Sequence, residues 1–167
     1  MLNGFLIFEG EFLNGKRWNG KGKECDKLFG FLKYEGEYLN GKRNGKGKEY
    51  NDKDELIFEG KYKNGKRNGK GIEYNEEGAL IYEGEYLNGK RSGKGKEYNG
   101  LHIIYEGEYL NGKWDGKGNK YYNDNNLEFT GEYLNGKEWN GIGYDINNNI
   151  SYELKNGNGY IKKYKIL

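Results

Sequence analysis

The segment Tyr34-Glu-Gly-Glu-Tyr-Leu-Asn-Gly-Lys-Arg-Asn-Gly-Lys-Gly-Lys-Glu-Tyr50 is one copy of a unit that recurs along most of the chain. Copies begin at residues 8, 34, 58, 82, 105 and 129, in steps of 26, 24, 24, 23 and 24. The first, 8–25, carries one extra residue, Trp18, and the sixth, 129–145, follows the pattern more loosely. A period of this size predicts an array in which each small unit buries its apolar side only by stacking on the next. Such a chain is a surface before it is anything else.

Within a unit, Tyr34, Gly36 and Tyr38 alternate with Glu35, Glu37 and Leu39, the period of a half-buried strand. Asn40 to Gly45 supplies two Asn-Gly pairs, which tolerate positive φ and close hairpins. Lys46 to Tyr50 reads as the returning strand, and a polar turn, Asn51 to Asp54, leads to the next unit. The 30 glycines argue against helix, since each costs about 1 kcal/mol in a helix interior. The fold class expected is therefore all-β: an elongated, twisted antiparallel sheet of tandem β-hairpins, solenoid-like, with about 13 or 14 strands in one meander. At ~4.8 Å per strand the array would extend roughly 65 Å. Register stays open between Tyr38 on Gly47 and Tyr34 on Tyr50.

Residues 1–167 read as one array, with clear units at 8–25, 34–50, 58–74, 82–98, 105–121 and 129–145 and a degenerate capping unit at 152–164. Met1 to Ile7 would be the only cover at the other end. The core must be thin and Tyr-rich, because there is no Val and the aromatics are 17 Tyr, 7 Phe and 3 Trp. A net charge of +2 from 28 basic and 26 acidic residues gives no strong field for nucleic acid. One cysteine, Cys25, excludes an internal disulfide and stands where other copies carry Tyr, so it reads as a packing residue. With no signal peptide and no spanning stretch, the chain is expected to be cytoplasmic, with attachment to a membrane periphery as the second expectation.

Catalytic chemistry finds little material. A single His (His102), Cys25, Ser92, Ser151 and Thr130 cannot supply a nucleophile with its base, and Glu35 and Glu37 recur copy after copy as a solvated face would. No catalytic, cofactor-binding or metal-ligating residue is expected, and the enzymatic reading is rejected.

The motif aromatic-x-Gly-x-aromatic, then Gly, then Gly-x-Gly, present in copies from 8 to 145, resembles the MORN (membrane occupation and recognition nexus) repeat. The resemblance implies successive β-hairpins in an elongated twisted sheet. It also implies a non-catalytic scaffold that holds a protein partner, often a helical segment, along a groove, with self-association through terminal repeats in some members. The second strand here ends Lys-Glu-Tyr, and the turn between repeats is longer and more acidic than usual. The chain is also similar to a bacterial variant described as antitoxin-like, a lesser alternative that would likewise act by binding protein.

Two sets of residues follow as expectations. The partner-binding surface is assigned to the aromatic face: Tyr34, Tyr38, Phe58, Tyr62, Tyr82, Tyr86, Tyr105, Tyr109, Phe129 and Tyr133. The runner-up is an anionic-phospholipid surface on the loop edge, from the pairs Lys16-Arg17, Lys42-Arg43, Lys66-Arg67 and Lys90-Arg91, with no apolar anchor beside it. The opposite edge reads as acidic, through Asp52, Asp54, Glu55, Glu76, Glu77 and Asp124.

Overall fold

Each Asn-Gly pair that follows a Leu or Lys closes a two-residue turn. Asn40 and Gly41 have φ of 51° and 72°, and the same pair of positive angles recurs at Asn14-Gly15, Asn64-Gly65 and Asn111-Gly112. That is the type I′ turn, whose twist matches the strands it joins and which only Asn, Asp and Gly adopt cheaply. In the computed structural model, which describes residues 8–26, 28–123 and 126–161, these turns connect successive antiparallel strands. Among the described residues there is no helix, and fourteen strands lie in sequence order in one sheet. Met1 to Ile7, Asp124 and the end of the expected capping unit, 162–164, lie outside the described residues.

The contacts divide the chain into two compact units. The first comprises 1–80 with 86–89. It holds β1 (Phe8–Leu13), β2 (Lys16–Cys25), β3 (Leu32–Leu39), β4 (Lys42–Tyr50), β5 (Leu56–Lys63) and β6 (Lys66–Tyr74). The second comprises 81–85 with 90–167. It holds β8 (Lys90–Asn99), β9 (His102–Leu110), β10 (Lys113–Asn123), β11 (Asn126–Leu134), β12 (Lys137–Tyr144), β13 (Ile150–Lys155) and β14 (Asn158–Ile161), while β7 (Leu80–Leu87) contributes to both units.

Neither expected register occurs. Glycine pairs with glycine, Gly22 to Gly36, Gly36 to Gly47, Gly47 to Gly60 and Gly60 to Gly71, so a glycine row crosses the first unit. Tyr38 pairs with Arg43 instead, and a bulge between the two pairings accommodates Asn44 to Lys46. The second Asn-Gly is thus a bulge and not part of the loop: Gly45 and Gly69 have φ of 74° and 96°, and Gly93 and Gly116, which follow Ser92 and Asp115 at the same place, have φ of 74° and 99°. The return strand consequently starts at Lys42, four residues earlier than the sequence suggests.

The glycine row exists because a ring lies on it. A Cβ placed on Gly36 would stand 2.6 Å from the Gly47 Cα, and one on Gly47 would stand 2.6 Å from Cε2 of Tyr34. Bare backbone lets adjacent strands close up beneath the ring, and the ring restores the burial that glycine lacks. In the second unit Tyr105 lies in the same way against Gly107 and Gly118.

Candidate functional site

The ten aromatics expected to meet a partner are the whole buried hydrophobic core of the described residues, at 0% to 8% exposed. In the first unit Tyr34 meets Tyr38 and Tyr62 edge-on at 5.7 and 5.2 Å, and Phe58 meets Tyr62 and Tyr86 at 5.6 and 5.2 Å. In the second, Tyr105 meets Tyr109 and Tyr133 at 5.4 and 5.2 Å. Edge-to-face pairs of this kind add about 0.5–1.5 kcal/mol each beyond area burial. The partner assignment on these ten side chains is corrected accordingly: they pack against each other and against glycine backbone, with at most 8% of any one exposed.

The arginines complete that packing. Arg43, Arg67 and Arg91 lie over Tyr34, Phe58 and Tyr82 at 4.2, 4.0 and 4.1 Å from the ring centroids, and Arg17 lies 5.5 Å from that of Phe8. Arg43 Nη2 donates to Glu24 Oε2 at 2.6 Å and Nη1 to Glu49 Oε1 at 3.2 Å. Arg67 continues the ladder, to Glu49 at 2.5 Å and Glu73 at 3.0 Å. In the second unit Arg91 pairs with Glu97, and Trp114 takes the arginine's place in the next copy, stacked on Tyr105 at 4.2 Å with Nε1 donating to Glu97 at 3.2 Å. Burial works against ionising Glu24, yet hydrogen bonds from Arg43 and Tyr38 more than offset it and hold the carboxyl below its usual range.

The expected lipid edge therefore loses its arginines. Only Lys16, Lys42, Lys66 and Lys90 of that set are exposed, because the turn ends at Gly41 and the residue after Lys42 already points to the ring side of the sheet. The edge is not without apolar residues, as had been expected. Leu13, Leu39, Leu87, Leu110 and Leu134, each just before a turn, are 41% to 55% exposed. Asp52, Asp54, Glu76 and Glu77 are exposed and Glu55 is half-buried in the turns between repeats, where Lys33 pairs with Asp52. Cys25, expected to fill a packing position, is exposed. Its counterpart Tyr50 reaches Glu35 with its hydroxyl at 2.7 Å, a span no thiol covers.

The accessible concavity lies on the other face of the first unit. A groove of about 710 Å³ is lined by one triplet from each of five strands, centred on the glycine row. The triplets are Lys21-Gly22-Lys23, Glu35-Gly36-Glu37, Lys46-Gly47-Lys48, Glu59-Gly60-Lys61 and Lys70-Gly71-Ile72, with Phe8 and Glu9 of β1 at one end. It therefore runs across the strands. Residues flanking each glycine point away from the rings and form two walls, and glycine backbone is the floor between them. On one wall Lys23 pairs with Glu35 at 3.2 Å and Lys48 with Glu59 at 3.8 Å. Hydrogen bonding from the Tyr50 hydroxyl, with help from Lys23 and against the cost of burial, holds the Glu35 carboxyl below its usual range. No group of three or more His, Cys, Asp or Glu among the described residues could hold a metal. No helix of the described residues is long and apolar enough to cross a membrane.

Sequence reasoning missed the carboxylates Glu24, Glu49, Glu73 and Glu97, although the signal was present: each precedes the last residue of its copy. It put the groove on the aromatic face instead, because the Glu residues flanking glycine read as a solvated face. The family model for the MORN repeat matches residues 8–25, 34–55, 58–78, 82–100 and 105–127, more than half of the chain. No curated protein matches it.

Proposed function

The chain belongs to the MORN repeat family, and on that footing we propose that it is a non-catalytic scaffold whose groove across β1–β6 holds a segment of a partner protein. The observation that carries this reading is the continuity of the groove: five strands supply one glycine-centred triplet each, with no side chain interrupting the floor. Five strand spacings from β1 to β6 amount to about 24 Å, enough for about sixteen residues of helix at 1.5 Å each. The walls are long aliphatic stems tipped with charge, which bury apolar area while keeping their heads in water.

A photo-crosslinking residue at position 48, on the groove wall, tests the reading against one at position 42, on the hairpin turn. Cross-linking to protein from position 48 and not from 42 is the expected result, and the reverse would refute the groove. A second reading, attachment to an anionic membrane surface, draws on the exposed Leu13 and Leu39, which pair across their turns with the exposed Lys16 and Lys42. It predicts that vesicle flotation is lost when those two leucines become serine. We favour the groove, because the same leucine–lysine pairing recurs at Leu110–Lys113 and Leu134–Lys137 as part of the repeat's turn and sets no one surface apart for lipid.

A further inference from the structure

The copies of the repeat serve as controls for one another, and the third departs from the rest. The residue two before the second aromatic's successor is Glu11, Glu37, Glu85, Glu108 and Glu132 in the other copies but Lys61 in this one. Where other successive hairpins meet, the Lys before the row's glycine faces that Glu on the next strand: Lys21 pairs with Glu37, Lys94 with Glu108 and Lys117 with Glu132. Lys46 pairs instead with Lys61. Lys70 flanks the next glycine of the row, which pairs with Gly60 beside Lys61. Three lysines thus succeed one another along one groove wall, on β4, β5 and β6.

None of the three ammonium groups is ion-paired among the described residues, although Glu37 stands next to Lys46 and accepts from its backbone N–H at 3.3 Å. Lys46, Lys61 and Lys70 are exposed. Like charges directly opposite on a sheet are destabilising, and the repeat's own rule would place Glu at position 61. A local rule broken at a cost, within the site the fold otherwise prepares, is the mark of a functional position. The opposite wall changes here too, since Ile72 stands where Lys23, Lys48 and Lys96 stand in other copies.

We propose that Lys46, Lys61 and Lys70 receive a stripe of carboxylates on the partner segment, an acidic face of a helix lying across the strands. This rests on the scaffold reading and adds the partner's chemistry to it. Strands are ~4.8 Å apart, and residues three and four apart on a helix are ~5–6 Å apart, so Glu or Asp at i, i+4 and i+8 falls in step with the three lysines. The other wall offers Ile72 to an apolar residue beside the stripe. A membrane surface is a poorer match, because the three groups flank the glycine floor within a concavity and a flat bilayer meets the hairpin rim first.

The test uses the full chain and two fluorescent Ala-rich helical peptides, one with Glu at i, i+4 and i+8 and one with Gln there. Wild type should bind the Glu peptide about tenfold or more tightly than the Gln peptide, with a preference that shrinks in added salt. Lys61→Glu, which restores the repeat's own residue, should remove the preference while melting no lower than wild type. Lys90→Ala, on a hairpin turn, should keep it. Equal binding of the two peptides, no binding of either, or the same preference in Lys61→Glu would overturn the proposal. So would binding only to vesicles of equal parts phosphatidylcholine and phosphatidylserine. If cross-linking from position 48 still captures protein in Lys61→Glu while the peptides show no preference, the scaffold reading stands and the acidic partner falls.

Discussion

A Cβ on Gly84 would lie 2.6 Å from the Cα of Gly95 and 2.7 Å from the carbonyl oxygen of Lys94. Both are backbone of the neighbouring strand, so the added atom cannot be absorbed by turning a side chain. Overpacking costs about 1–3 kcal/mol where neighbours can yield, and Gly84→Val should reach the upper end of that range by urea unfolding. Gly84→Ala should already be clearly destabilised. Lys90→Ala, exposed on a turn, should stay within about 0.5 kcal/mol of wild type. A Gly84→Ala variant as stable as wild type would mean that the strands are not held together by ring-on-glycine contact. This part of the design was legible in the sequence, because a Gly set between two aromatics at strand period has few other uses. Which glycine it would face was not legible: the bulge that fixes the answer lies in Asn44 to Lys46, and Asn-Gly serves a turn as readily as a bulge.

At the scale of the hairpin, the Lys-Arg pair divides its labour. Lys66 is exposed beside the turn, whereas Arg67 lies 4.0 Å above the Phe58 ring and bridges Glu49 and Glu73. Arg67→Ala should cost about 1–3 kcal/mol, between the values for exposed and for buried ion pairs. Lys66→Ala should cost less than about 0.5 kcal/mol. Arg67→Lys should recover only part of the loss, because one ammonium cannot reproduce a planar fork that serves two carboxylates and a ring. Equal stability of the two alanine variants would contradict the ladder. In sequence the two residues are adjacent cations in a polar stretch, and only the length of the turn tells them apart. A two-residue turn puts the second cation in the strand, on the ring side. A longer loop would have left both outside.

Over the whole chain, the buried phenols set the response to alkali. Burial, foremost, pushes the hydroxyls of Tyr62, Tyr109 and Tyr133 well above their usual 10.0. A group with a raised folded pKa loses nothing below its unfolded value. Above that value the unfolded chain releases protons that the folded chain keeps, so stability declines by up to about 1.4 kcal/mol per pH unit for each tyrosine. Three such groups give about 4 kcal/mol per unit, against a stability of about 5–15 kcal/mol for an ordinary domain. The urea midpoint should be flat from neutrality to about pH 10 and then fall steeply; a flat profile through pH 11 would contradict the burial. On the acid side Glu24 and Glu35, held below 4.5, contribute stability above that value which is lost as the pH falls through their folded values.

The rings and the groove occupy opposite faces of the same strands, and the alternation of side chains keeps the two sets of positions apart. Residues 21, 23, 35, 37, 46, 48, 59, 61, 70 and 72 line the groove, and none of them is in the buried core. Mutation can therefore explore one face while purifying selection holds the other. A lineage carrying this array could change partners by point substitution at the cost of a few surface ion pairs and not of the ring core, and a laboratory library at those ten codons would sample the same freedom.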